Sequence, residues 1–150
     1  AGYSCAVHTI GDYSTDLVMD AYEKTDDPTR HRIEHAMILS EAQIERMARL
    51  GSHLTVQPEF LMRFGHAYRV QLEPEIAVNL KPVRSLLDAG IPLSFNSDRP
   101  IVPGNPWDGI AAATERPEGF NPAENISREE AIGLYTHGGA HANFEPEFVG

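Results

Sequence analysis

The sequence predicts an α/β fold of parallel βα units that amounts to about half of a TIM-type (β/α)8 barrel. Two observations carry that expectation. Four short apolar runs alternate with segments of helical periodicity, the order that builds a parallel sheet with crossover helices. Each run also ends in a side chain capable of chemistry, namely His8, His35, Gln57 and Asp98. In parallel α/β enzymes the carboxyl ends of the strands form the face that carries the catalytic groups.

The first strand runs through Cys5-Ala6-Val7 into His8, and Gly11-Asp12 then turns the chain. Leu17, Val18 and Ala21 recur at helical spacing up to the break at Asp26-Asp27-Pro28. Asp12 is placed to cap that helix or to orient His8. The second strand covers residues 32–34 and leads into His35. Ser40 and Gln43 make a capping box for a helix carrying Ile44, Met47, Ala48 and Leu50, with Gly51 as its stop. The third strand, residues 53–57, is closed by Pro58, which has no amide proton for a sheet ladder. Residues 59–80 mix charge and aromatics with weak periodicity and read as a long connection, a lid or substrate loop. Val83, Leu86 and Leu87 give the next helix its apolar face, Gly90 ends it, and the fourth strand covers residues 92–96. Residues 99–125 are rich in Pro and Gly and read as loop, with one helical piece at 110–114. A second capping box, Ser127 with Glu130, opens the last helix through Ala131, Ile132, Leu134 and Tyr135. The opening directly into a strand and the close at Phe148-Val149-Gly150 read as imposed boundaries, as of a domain truncated at both ends.

Composition narrows the function. With 150 residues, 41% hydrophobic and 23% charged, the chain is one ordinary globular domain's worth. No apolar run approaches the roughly 20 residues of a membrane span, so insertion in a membrane is excluded as an expectation. A formal charge of -10, with only 12 Lys and Arg, argues against a phosphate-binding nucleic-acid surface. The expected partner is a small molecule. A single cysteine, Cys5, rules out a disulfide framework and fits a reducing, cytoplasmic compartment; lying in an apolar run, it reads as a small buried hydrophobe. The chain has no Gly-rich phosphate cradle, which sets aside a nucleotide-binding module.

Two histidines and an aspartate at strand ends form a set suited to metal binding and proton transfer. Singly, each has an ordinary reading: His8 as a satisfied core histidine, Asp98 as a turn or cap residue. Together they support one another. Glu34 precedes His35 by one residue, so strand alternation points it to the other side of the sheet, in a structural role. His137 and His141 stand four apart on a helix without an acidic or strand-borne companion and read as solvated; His31, His53 and His66 read as surface or core residues.

The motifs His8-Thr9-Ile10-Gly11-Asp12, Arg30-His31-Arg32-Ile33-Glu34-His35, Val56-Gln57-Pro58 and Ser97-Asp98-Arg99-Pro100, followed by Tyr135-Thr136-His137-Gly138-Gly139-Ala140, occur in order at strand-helix spacing. The pattern resembles the carboxyl-terminal half of a metal-dependent hydrolase of the amidohydrolase superfamily, in its amidohydrolase 3 group. The resemblance implies barrel strands five to eight, with His8 and His35 as metal ligands and Asp98 as both ligand and general base. It also implies one or two divalent ions, zinc by default, and hydrolysis of a C–N bond other than a peptide bond by a metal-activated water. Gln57 and Arg99 are the expected substrate-binding residues. The superfamily's His-x-His pair and its acidic bridging ligand are absent from the sequence. The isolated chain is therefore expected to bind metal weakly and to be inactive, and the alternative reading is a non-catalytic half barrel that binds no metal productively. Open sheet edges and uncovered apolar side chains, among them those of the Leu54 and Leu93 runs, predict self-association.

Overall fold

The computed structural model describes residues 3–143. Four strands, β1 (Ala6–Thr9), β2 (Arg32–His35), β3 (His53–Val56) and β4 (Leu93–Phe95), form one parallel sheet in consecutive order. The helices are α1 (Asp12–Tyr22), α2 (Glu41–Leu50), α3 (Glu59–Gln71), α4 (Pro74–Ala77), α5 (Val83–Asp88), α6 (Pro106–Thr114), α7 (Arg128–Tyr135) and α8 (His137–Ala142). The architecture is half of a (β/α)8 barrel. Residues 148–150, which carry the expected chain boundary, lie outside the described residues, as do residues 1 and 2.

Strand register explains which face does what. Val7, Ile33, Leu54 and Leu93 are aligned across the four strands, as are His8, Glu34, Thr55 and Ser94. Because side chains alternate along a strand, the first set shares one face and the second shares the other. The apolar face is the core, where Ile33, Leu54, Val56, Leu93 and Phe95 pack with Met19, Met47, Leu50 and Leu86 of the helices. The expected uncovering of apolar side chains is therefore not met: Leu54 and Leu93 are 0% and 5% exposed, and the face turned from the core helices is polar. α8 covers part of that polar face. Its Gly138 approaches β4 so closely that a β-carbon there would meet the Leu93 carbonyl oxygen at 2.6 Å, and its Ala142 carbonyl accepts from Arg32 Nη1 at 2.6 Å. His53, Thr55 and Ser94 on this face are buried, while His8 on β1 stays exposed.

Local signals place most boundaries. Both capping boxes form, Ser40 with Gln43 and Ser127 with Glu130, and the predicted stops Gly51 and Gly90 take the left-handed φ of 72° and 73° that glycine allows. Five expectations fail. α1 turns Thr15, Met19 and Tyr22 inward and leaves Leu17 51% exposed, because Tyr22 also anchors its hydroxyl on the Arg32 carbonyl at 2.9 Å. Its N-cap is Gly11, and Asp12 lies one residue inside, accepting from the Tyr13 amide at 2.7 Å. Residues 59–80 are no lid: α3 and α4 fill them, and Phe60, Phe64 and Tyr68 make an i, i+4 aromatic ladder with ring centroids 5.3 and 6.3 Å apart, over a second apolar cluster with Leu61, Leu80 and Phe120. Cys5 is exposed, since it precedes β1 at the edge of the sheet. α6 also begins four residues earlier than predicted, with Asn105 as its cap and Pro106 in its first turn.

Candidate active site

The carboxyl ends of the four strands open into a cleft of about 500 Å³ lined by His8, Glu34, His35, Gln57, Asn96, Ser97, Asp98 and Arg99. All five residues singled out from the sequence are thus brought together. His8 stacks edge-on against His35 with ring centroids 4.5 Å apart. His35 Nε2 faces Asp98 Oδ2 at 3.9 Å, the imidazole being 7% exposed and the carboxylate 41%. Arg99 is exposed at the rim.

Behind the ring lies a directed hydrogen-bond network. His35 Nδ1 meets Gln57 Oε1 at 2.7 Å, and the same oxygen accepts from Lys81 Nζ at 3.3 Å. Gln57 Nε2 donates to Asn96 Oδ1 at 2.9 Å, which also accepts from the Asp98 backbone amide at 3.1 Å. Gln57 itself is 0% exposed. Burial lowers the pKa of His35 below its usual value; the Gln57 bond opposes this, and the charges of Lys81 and His8 add to it. The net effect favours the neutral ring, the form a ligand needs.

Backbone strain concentrates here. The four non-glycine residues with positive φ among the described residues are His35 (74°), Ala36 (39°), Lys81 (51°) and Asp98 (53°). Such conformations cost on the order of 1–3 kcal/mol each and persist where surroundings over-determine them. The strain explains a failed expectation. Glu34 shares the cleft with His35 instead of pointing away from it, because the left-handed turn at His35 breaks the pleat and swings that side chain round. Glu34 holds Arg32 Nε at 2.5 Å and accepts from the Thr55 hydroxyl.

Four residues of this site, Glu34, Lys81, Asn96 and Ser97, do not stand out as candidates in the sequence. Asn96 was within reach, as it sits two positions before Asp98 at a strand end. Glu34 and Lys81 carried no usable signal. Lys81 is 1% exposed, and burial pushes its pKa down to about 7, with Arg116 adding to the fall and Asp98 opposing it. Its ammonium stands 5.0 Å from the centroid of the Phe60 ring.

The donors suit a divalent ion in kind, two imidazoles and a carboxylate. The 3.9 Å between His35 Nε2 and Asp98 Oδ2 is less than two metal–ligand bonds of about 2.0–2.2 Å each end to end, so one ion fits between them. No group of three His, Cys, Asp or Glu side chains among the described residues stands close enough together to hold an ion. His137 and His141 are both exposed, as expected of solvated helix residues.

A parallel half barrel with imidazoles and a carboxylate gathered at its carboxyl-terminal face has the layout of a barrel hydrolase. The chain belongs to the amidohydrolase family, matching it over residues 1–149. It is 34% identical to the N-substituted formamide deformylase of Arthrobacter pascens over 95% of this chain and 28% of that protein. The structure is similar to that of an uncharacterized metal-dependent hydrolase from Pyrococcus furiosus, with a TM-score of 0.82 and 33% identity over 97% of this chain and 30% of that one. A variant of the atrazine chlorohydrolase TrzN from Arthrobacter aurescens, solved with zinc and atraton, shares the fold at a TM-score of 0.66 and 20% identity, over 95% of this chain and 32% of that one. The chain thus spans under a third of the length of these relatives. No helix among the described residues is long and apolar enough to cross a membrane.

Proposed function

We propose that this chain forms the carboxyl-terminal half of the catalytic barrel of a metal-dependent hydrolase acting on a non-peptide C–N bond of a small N-substituted amide. The observation that carries the proposal is the pairing of His35 Nε2 with Asp98 Oδ2 at the mouth of the cleft, with His8 against the same ring. His8, His35 and Asp98 would hold the ion, zinc being the best match to imidazole and carboxylate donors. What such an ion supplies when bound is Lewis acidity at the scissile carbonyl and a lowered pKa for water.

The residues do the rest. Asp98, at the mouth and part-exposed, accepts the proton of the attacking water and returns it to the leaving nitrogen, so that no free amide anion forms. Arg99 at the rim places a guanidinium beside the substrate's polar end. The substrate class is supported by the 34% identity to a deformylase of N-substituted formamides. A reducing, cytoplasmic setting belongs to the same reading, resting on a lone thiol at Cys5 that no second cysteine bridges. A second reading, a half barrel that binds no metal productively, is favoured by the lack of a three-ligand group among the described residues.

In the complete barrel, Asp98→Asn is expected to leave folding intact and to lower turnover of an N-substituted formamide by about 10²–10⁴-fold, the usual worth of a positioned general base. Turnover within a factor of two of the unmodified enzyme would rule out the proton-transfer role.

A further inference from the structure

We propose that Lys81, acting through Gln57, is a positioning residue that fixes His35 as the Nδ1–H tautomer and so leaves Nε2 as the electron-pair donor facing Asp98. A carboxamide has one accepting and one donating end, and its shape alone does not decide which end points where. Here the neighbours decide it. An ammonium has donors only, so the Gln57 atom 3.3 Å from Lys81 Nζ is the oxygen. At the other end the Asp98 backbone amide, also a donor only, takes Asn96 Oδ1 at 3.1 Å, and that oxygen requires the Gln57 amide nitrogen as its second partner at 2.9 Å. Both anchors favour the same direction for Gln57, and each adds its own share to that preference. With Oε1 accepting, His35 Nδ1 at 2.7 Å must carry the proton. A reversed amide would set its NH₂ group against a buried ammonium, donor against donor, and would let the imidazole carry its proton on Nε2, closing the lone pair to any ligand.

The backbone shows that Lys81 is held for this task. Its amide donates to the Met37 carbonyl at 2.9 Å, two residues beyond His35, so the lysine and the strained end of β2 are tied together. Arg116 donates to the carbonyls of both Leu80 and Lys81 and keeps that turn at its positive φ. Gln57 Oε1 is the hydrogen-bond partner of the Lys81 ammonium, which packs over Phe60 where a charge of ordinary function would seek a carboxylate. Gln57 accordingly serves as the coupling between lysine and imidazole, both of its amide atoms being engaged by protein groups.

The inference rests on His35 as a ligand, but its test reads the ring's proton with no metal present, so the failure of one is told from the failure of the other. The 150-residue chain, with ¹⁵N-labelled histidine and free of metal, is examined near pH 6.5, on the ammonium side of the Lys81 pKa of about 7, by two-bond ¹H–¹⁵N correlation, His35 being assigned by loss of its signals in His35→Gln. The expected result is a protonated Nδ1 and a bare Nε2 in the unmodified chain, and at least a tenfold rise in the Nε2–H form in Lys81→Met. A wild-type His35 protonated on Nε2 would overturn the proposal outright. So would an unchanged tautomer ratio in a cooperatively folded Lys81→Met. If that variant does not fold, Lys81→Gln makes the same comparison, since its amide accepts as readily as it donates and removes the directional anchor while keeping a polar side chain.

Discussion

The two walls of the cleft are built differently. On the inner wall His35, Gln57 and Lys81 are buried and Asn96 is half-buried, and a continuous chain of hydrogen bonds runs from Lys81 through Gln57 and Asn96 to the Asp98 amide. On the outer wall His8, Asp98 and Arg99 are exposed, and the Asp98 carboxylate stands 3.9 Å from His35 Nε2. His35, the proposed ligand that must present one lone pair, is held by the fold itself. The groups proposed to move a proton or to meet a substrate, Asp98 and Arg99, are left exposed at the rim. Strain follows the same division only in part, since Asp98 shares the positive φ of His35 and Lys81.

The largest way to break the contrast is to cut the inner wall. Gln57→Leu leaves Lys81 Nζ and His35 Nδ1 buried without their partner, and is expected to destabilise the chain by about 2–4 kcal/mol, whereas Asp98→Asn and Arg99→Ala stay within about 0.5 kcal/mol of the parent. Urea denaturation of the three variants measures this directly; equal losses on both walls would erase the distinction.

A second effect lies at the far end of the same polar face. His53, bonded to Ser94 Oγ at 2.9 Å, has its pKa pushed down to about 4, first by burial and then by the charges of Arg32 and His141. Between that value and the ordinary 6.5 the unfolded chain binds the extra proton, so stability falls as pH drops through this window, by on the order of 3 kcal/mol in all. His53→Asn should flatten that slope between pH 6.5 and 4. A slope unchanged by the substitution would place the acid sensitivity elsewhere.

The smallest effect concerns association. α8 packs on β4, but β1 at the opposite edge has no such cover among the described residues, with Ala6 and His8 exposed. An open strand edge is a template for pairing, so sedimentation at micromolar concentration is expected to show self-association through β1, weakened by a proline at Ala6. A monomer that persists across the concentration range would mean that this edge is protected.

Much of this was legible in the sequence because strand ends announce themselves. Apolar runs stopping at His8, His35, Gln57 and Asp98 gave the sheet order, its parallel sense and the cleft, and capping boxes at Ser40 and Ser127 gave two helix starts. What was hidden depended on partners distant in sequence. The phase of α1 is set by Tyr22 reaching Arg32, the helix at 59–71 by an aromatic ladder broken up by charge, and the presence of His35 in one cleft with Glu34 by a left-handed φ at His35 that no single sequence reveals. Lys81 could not be found at all from one chain: a lone lysine before a helix reads as surface, and its burial follows from Phe60 and the clamp of Arg116.

Which histidines meet the ion decides whether this cleft is a metal centre. Titration of the ¹⁵N-histidine-labelled chain with Zn²⁺ tests this most directly, since even weak binding moves the shift of a ligating nitrogen. The expected result is a joint perturbation of His8 and His35, the latter at Nε2, reversed by a chelator and lost in Asp98→Ala for the His35 signal, with the other five histidines unmoved. Perturbation confined to His137 and His141, or a His35 signal that zinc leaves in place, would contradict it.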